Sequence, residues 1–346
     1  MTTSTSSLKG FRFPVLVADI GGTNARFAIV RDAHAQTQAF EPVSTAGFPG
    51  FAEAASASVF NHTALMPRTA VIAVAGPVTG ETIPLTNADW VIDPKELIAR
   101  FDLESVIVLN DFEAQALALP GLDGTAIEQL GGGAPVPFGA KVVLGPGTGL
   151  GAAAMIHAAN TWIPVPGEGG HMELGPVDAE DMRIWQHLER VGGRVGAEQV
   201  LSGSGLVRLS RAVAEAEGQS RRFESGAAVT EAADAGDDVA LRTVACFVRA
   251  LGRVAGDLAL AFLARGGVYL GGGIPMRIER HLRAPAFRAA FEAKAPHDAL
   301  MRTIPTYLVR HPNPALEGLA SFARTPALFA VELTGRHWSA SQPPAA

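Results

Sequence analysis

The sequence predicts an α/β protein of two related domains that face each other, and three observations predict it. A length of 346 residues suits two domains of ordinary size, each able to bury its own core. Short apolar runs that read as strands alternate with amphipathic stretches that read as helices. One strand–glycine turn–strand unit occurs twice, at an offset of 126 residues between Asp19 and Gly145. A composition of 48% hydrophobic and 18% charged residues belongs to a globular chain. The net charge of -6 argues against nucleic acid or an anionic membrane as the main partner. A single cysteine, Cys246, excludes a disulfide framework and a cysteine-based zinc site. The 38 glycines point to a backbone that passes close to something, such as a phosphate.

Residues 1–13 lack the apolar stretch of a signal peptide and read as a tail. Residues 14–19 form a strand ending in Asp19, Ile20-Gly21-Gly22-Thr23-Asn24 a turn, and 25–30 a returning strand. A third strand spans 69–75 and stops at Gly76-Pro77. Residues 94–101 read as a helix, 106–109 as a buried strand ending in Asn110-Asp111, and 112–119 as a helix closed by Pro120-Gly121. The boundary falls there. Residues 14–121 form a small α/β domain, completed by a C-terminal helix within 312–330, and 122–311 form a large one. In the large domain 142–144 is a strand, Gly145-Pro146-Gly147-Thr148-Gly149 a turn and 150–157 a strand. Helical stretches follow at 182–191, 196–201, 205–216 and 239–264, the last stopped by Arg265-Gly266-Gly267. Residues 268–270 form a strand running into Gly271-Gly272-Gly273, and 314–324 form the helix that returns to the first domain. Residues 331–346 read as a second tail. No window holds 18 uncharged apolar residues, so we expect a soluble, cytoplasmic protein with no membrane span.

Three glycine clusters follow apolar strands: Gly21-Gly22-Thr23, Gly145 to Gly149, and Gly271-Gly272-Gly273. Such turns aim several backbone N–H groups one way with no Cβ in between, which makes an anion nest. A lone Gly-Gly turn is as readily a tight hairpin. Three together favour a phosphate site. No lysine stands in a Gly-Lys-Ser/Thr context, which excludes a P-loop. Gly21-Gly22 leads into a strand rather than a helix, which excludes the dinucleotide fingerprint. Charge neutralisation then falls to backbone dipoles, hydroxyls and a metal ion. Asp19, at the end of a buried strand, is the natural partner for Mg²⁺, held mainly through water. The other reading of Asp19 is an aspartate capping its own turn.

Asn110-Asp111 sets an amide beside a carboxylate, able to bind adjacent hydroxyls and to take a proton. The same pair suits an N-cap for the helix that follows. In Pro166-Gly167-Glu168-Gly169-Gly170-His171, glycines let an acid and an imidazole approach a ligand, or leave Glu168 on a solvated loop. His171 has no His-x-x-x-His or cysteine partner, which speaks against a metal there. Glu198 opens a short helix, where a carboxylate also suits the dipole.

These motifs, with Gly147-Thr148-Gly149-Leu150-Gly151 and Ala197-Glu198-Gln199-Val200-Leu201-Ser202-Gly203, occur in one order over roughly residues 14–325. In that order the chain resembles the bacterial ATP-dependent glucokinases of the hexokinase–actin superfamily. The resemblance implies two ribonuclease-H-like domains with sugar and ATP in a cleft between them, and a homodimer. It implies Asp111 as catalytic base and Asn110, Asp111, Glu168, His171 and Glu198 as glucose ligands. It implies a first phosphate motif at Ala18, Asp19, Ile20, Gly21, Gly22, Thr23 and Asn24, and a second at Gly145, Gly147, Thr148 and Gly149. Gly272 and Gly273 fall in the adenosine motif, and Mg²⁺ accompanies ATP. Pro146 departs from the small residue usual in the second motif and removes one N–H donor. The repressor–kinase branch carries a cysteine-rich zinc motif, which a chain with Cys246 alone does not have.

The expected reaction is transfer from MgATP to the 6-hydroxyl of D-glucose. Another hexose, an amino sugar, or ADP or polyphosphate as donor would keep the same fold. A sugar-sensing regulator is disfavoured by the absence of a helix-turn-helix ahead of Val15. An actin- or chaperone-like ATPase is disfavoured by the loop of Glu168 and His171, which suits a polyol.

Overall fold

The computed structural model describes residues 10–86 and 88–340. Two compact units divide the chain. One holds the segment up to Leu122, Met155–Pro166 and the segment from Pro312; the other holds Asp123–Ala154 and Gly167–His311. In chain order the strands are β1 (Val15–Ile20), β2 (Asn24–Val30), β3 (Gln38–Ala39), β4 (Val43–Ser44), β5 (Thr69–Val74), β6 (Ile83–Pro84), β7 (Val91–Ile92), β8 (Ser105–Asn110), β9 (Ile127–Gly131), β10 (Lys141–Pro146), β11 (Leu150–Ala158), β12 (Thr161–Gly167), β13 (Gly267–Leu270), β14 (Thr306–Val309) and β15 (His337–Ser339).

The first sheet runs β15-β8-β5-β1-β2-β3, with β4 also on β2, while β6 and β7 pair apart from it. Strands β1, β5 and β8 are parallel, and β2 returns antiparallel to β1 with Asp19 opposite Arg26. Every residue of β5 is buried, as befits a central parallel strand covered on both faces. The second sheet runs β12-β11-β10-β13-β14-β9, with β10, β13 and β14 parallel. Each sheet ends in an antiparallel strand: β15 on β8 in one, β9 on β14 in the other. The two orders match place for place, β3-β2-β1-β5-β8-β15 against β12-β11-β10-β13-β14-β9. The 126-residue offset carries β1 onto β10 and the start of β2 onto the start of β11. The repeat in sequence is therefore a repeat of topology.

In the first unit the helix Pro314–Arg324 packs on β1, β2, β5 and the helix Asp111–Ala118. The helices approach closely because Gly318 has no Cβ; one would run into the carbonyl oxygen of Ala114. In the second unit the helix Asp238–Ala261 packs on Pro285–Glu292 in the same manner. A Cβ on Gly252 would lie 2.5 Å from the Phe287 oxygen, and one on Gly256 2.7 Å from that of Phe291.

Three expected stretches differ. The helix placed at 182–191 is Ala179–Trp185. The chain beyond it turns through Gly192 and Gly193, both at positive φ, so that Val191 pairs with Arg194. The long helix ends at Ala261, short of the glycines, with Leu263 in the left-handed region at φ 46. Gly266 serves instead to let the chain pass Gly139, whose oxygen a Cβ would strike. The segment from 331 is no loose tail through its described part: β15 pairs with β8 and Trp338 is buried in the core. Residues 341–346 lie outside the described residues, as do 1–9 of the expected N-terminal tail. Of that tail Phe11 meets Phe322 edge-on at 5.1 Å.

Candidate functional site

In the first unit Asp19 stands at the carboxyl end of β1, where ligands of parallel sheets gather. The side chains of Ala18 and Ile20 are fully buried and hold the strand in the core, so they offer a nucleotide no side-chain contact. The turn closes by Gly21 N–H on the Asn24 oxygen at 3.0 Å, and Thr45 Oγ1 donates to the Gly22 oxygen at 2.9 Å. Asp19 Oδ2 lies 3.4 Å from Arg26 Nη1. Burial raises the Asp19 pKa, and Arg26 opposes that rise. Among the described residues no group of three or more His, Cys, Asp or Glu could hold a metal. A magnesium ion that keeps most of its waters and takes one carboxylate plus phosphate oxygens needs no such group, so Asp19 fits it.

Asn110 caps the helix Asp111–Ala118: its Oδ1 accepts from Phe112 N at 2.9 Å and Glu113 N at 3.2 Å. Its Nδ2 donates to the Gly76 oxygen at 3.2 Å, which ties the cap to the loop after β5. Capping thus uses the Asn110 carbonyl oxygen, and the amide nitrogen keeps a second hydrogen. Asp111 takes the first helical position, half-buried, with Oδ1 accepting from Phe112 N at 3.0 Å.

In the second unit the segments that carry Glu168, His171 and Glu198 meet at Leu150, which follows the β10–β11 turn. His171 Nε2 lies 3.7 Å from Glu168 Oε2, with both side chains exposed. Gly170 packs where a Cβ would strike the Leu150 oxygen. Glu198 Oε2 accepts from Leu150 N–H at 2.8 Å, and a Cβ on Gly149 would come within 2.5 Å of that carboxylate. Ala197 N donates to the Met172 oxygen at 2.8 Å, and Arg194 Nη2 to the His171 oxygen at 2.7 Å. The glycines near Glu168 and in the turn therefore let three segments converge.

The second and third glycine clusters also meet. Gly147 N closes on the Gly149 oxygen and Gly203 N on the Gly147 oxygen, both at 2.8 Å. Gly272, at φ 87, lies against the Pro146 oxygen, which a Cβ would approach to 2.8 Å. Beside them opens a pocket of about 450 Å³ lined by Thr148, Ser204, Ala227, Thr230, Gly273 and Arg277 among others. Gly145 is buried beneath the turn, and Thr148 is exposed at its tip.

The glucokinase family model matches residues 16–326. A glucokinase of Sinorhizobium medicae (strain WSM419) is 53% identical over 334 residues, covering 96% of this chain and 98% of its own. The chain belongs to the glucokinase family. A glucokinase of Chelativorans sp. (strain BNC1) is 54% identical over 327 residues, 94% of this chain and 96% of its own. Among solved structures, the glucokinase of an Antarctic psychrotroph matches with a TM-score of 0.82 at 33% identity, over 91% of this chain and 100% of that one. A glucokinase from Balamuthia mandrillaris shares the fold with a TM-score of 0.76 at 22% identity, over 92% of this chain and 95% of that one.

For a glucokinase-family chain, sequence reading missed Ser204, Ala227, Thr230 and Arg277 of the pocket. Their one signal was glycine at 203 and 226. A Cβ on Gly226 would sit 2.7 Å from the Gly203 oxygen, so this pair brings two helix starts together at the pocket. No helix among the described residues is long and apolar enough to cross a membrane.

Proposed function

We propose that this glucokinase-family sugar kinase transfers the γ-phosphoryl group of ATP to the 6-hydroxyl of D-glucose, giving glucose 6-phosphate and ADP. The observation that carries the reading is the second unit's cluster: the segment of Glu168 and His171 packs through Gly170 on Leu150, just after the Gly-Thr-Gly turn, and Glu198 accepts from the N–H of the same Leu150. Hydroxyl ligands and phosphate-type glycines thus share one local framework. The shared strand order supports taking both sheets as ribonuclease-H-like domains, and we extend the reading to a cytoplasmic homodimer.

Asp111 accepts the proton of the sugar 6-hydroxyl as that oxygen attacks the γ-phosphorus in line. Its carboxylate is held at a capped helix start, so the acceptor is preorganised. Asn110, Glu168, His171 and Glu198 bind the remaining hydroxyls and select their stereochemistry; each group left unpaired by a wrong epimer costs about 1–3 kcal/mol. The glycine turns at 21–22 and 145–149 offer N–H groups to the phosphates, and the 450 Å³ pocket takes the nucleoside. Bound with ATP beside Asp19, Mg²⁺ would neutralise charge on the phosphate oxygens.

Steady-state kinetics with a coupled assay tests this. Asp111→Asn should lower kcat by at least about 10²-fold and leave glucose affinity within about tenfold. Near-normal turnover in that variant would refute the assignment of the base.

A further inference from the structure

Glu113 is fully buried on the helix that begins at Asp111, three residues after the Asn110 cap. Its Oε2 pairs with Arg336 Nη1 at 2.6 Å, and its Oε1 has no hydrogen-bond partner among the described residues. Its backbone N–H is bonded to the Asn110 side chain at 3.2 Å. Arg336 is itself largely buried, 13% exposed, and its guanidinium also donates to the Glu332 oxygen. The Arg336 carbonyl oxygen accepts from Val108 N at 3.0 Å, and β15 continues this pairing with His337 opposite Ile107 and Trp338 opposite Val106. One residue thus holds both arms of a junction: β8 through its main chain, and the following helix through Glu113. Asn110 and Asp111 are the corner between those arms.

A buried ion pair with one carboxylate oxygen unpaired is a poor device for stability, because apolar residues of similar volume would serve as well or better. It is a good device for geometry, because the pair has one directional arrangement. We propose that Arg336 is a positioning residue for phosphoryl transfer, fixing through Glu113 the strand-to-helix corner that carries Asn110 and Asp111. This rests on Asp111 being the base. Arg336 touches no substrate in this scheme. Its effect is on where the Asp111 carboxylate and the Asn110 amide stand relative to the sugar, so it acts on kcat and on the KM for glucose and leaves the KM for ATP alone.

The test compares Arg336→Met, Arg336→Lys and the double variant Glu113→Gln/Arg336→Met with the parent, and runs Asp111→Asn alongside. For each, kcat, the KM values for glucose and ATP, and the urea midpoint are read. Folded Arg336→Met should lose about 10- to 100-fold in kcat, the scale of a misplacement near 1 Å, with the KM for ATP within about threefold and the KM for glucose raised, since Asn110 moves with the corner. Arg336→Lys, which keeps a cation at the site but loses the fork that reaches both Glu113 and the Glu332 oxygen, should recover only part of that loss. The double variant removes both charges, so its urea midpoint should recover while kcat stays low. An unchanged kcat in folded Arg336→Met, or a double variant whose kcat recovers in step with its midpoint, overturns the proposal. If Arg336→Met does not fold, the double variant decides by the same criterion. Normal turnover in Asp111→Asn instead fells the base assignment. An inactive Asp111→Asn beside a fully active, folded Arg336→Met fells the positioning role alone.

Discussion

Lys141 lies in β10 with its Nζ 2.9 Å from the Tyr269 hydroxyl and 3.4 Å from the Gly266 oxygen, and no carboxylate within ion-pair distance among the described residues. Desolvation of the ammonium pulls its pKa from the ordinary 10.5 to about 8. The folded state therefore disfavours the charged form. Below about pH 8 both folded and unfolded chains carry the proton, and the penalty is fully present. Between about 8 and 10.5 the unfolded chain binds more protons, so this group makes stability rise with pH across that window. Lys141→Met removes the charge, and Tyr269 keeps its bond to the Gly266 oxygen at 3.3 Å. We expect the variant to have a higher urea midpoint than the parent at pH 7 and a flatter dependence from pH 8 to 10. A lower midpoint with the parent's pH slope would show that the ammonium is not under strain. Glu198 marks the limit of reading such residues from sequence. A carboxylate at a helix start suits the dipole anywhere, and nothing local says that its partner is the N–H of Leu150, 48 positions away.

Two helix–helix contacts depend on glycines, Gly318 in the first unit and Gly252 with Gly256 in the second. Ala is favoured over Gly inside a helix by about 1 kcal/mol, so Gly318→Ala would stabilise an isolated helix. Here the new methyl runs into the backbone oxygen of Ala114 and lies 2.9 Å from the Ala118 nitrogen. Backbone atoms cannot rotate aside, so the overpacking cost of about 1–3 kcal/mol or more wins. We expect Gly318→Ala to lower unfolding free energy by about 1–2 kcal/mol in urea titration. Gly47→Ala, whose methyl would meet nothing within 4 Å, should stay within about 0.5 kcal/mol of the parent. Equal stability of the two variants would mean that the helices slide apart at little cost. The central strands and capped helices were legible because their signals are local: apolar runs ending in Asp19 or Asn110, and a helix opened by Asp93-Pro94 and spanning Pro94–Phe101 as expected. The edge strands β9, β12 and β15 and the inner strand β14 were not read, since each is short or set by its partner. A three-residue strand such as His337–Ser339 has no period to detect. The same holds at the site. Asn110, Glu168 and the glycine turns stand in recognisable runs, whereas Ser204, Thr230 and Arg277 join the pocket only through the close approach of Gly203 and Gly226.

At the scale of the whole chain, the first unit is discontinuous: its central strands come from the first 122 residues, and part of its cover from the segment after His311. The helix Pro314–Arg324 buries its apolar face on β1, β2 and β5, Trp338 adds to the core beyond β8, and Arg336 compensates the buried Glu113 carboxylate. A chain ending at His311 loses all three at once. It leaves apolar strand faces open to water and strips the Glu113 carboxylate of both its cation and the helix packed on its own. The second sheet keeps every strand in such a chain, including β14, along with the hydrogen bond of Arg310 N to the Ala126 oxygen. Hydrogen exchange followed by mass spectrometry separates the two units. In the truncated chain we expect β10, β13 and β14 to stay protected, and β1, β5 and β8 to exchange at rates near those of an unfolded segment. Adding residues 312–346 as a separate peptide should slow exchange in β1, β5 and β8, because the missing cover is then supplied without the covalent link. Slow exchange in those strands without the peptide would mean that the first 122 residues hold a core by themselves, and the C-terminal segment would then be an accessory to the unit instead of a part of it.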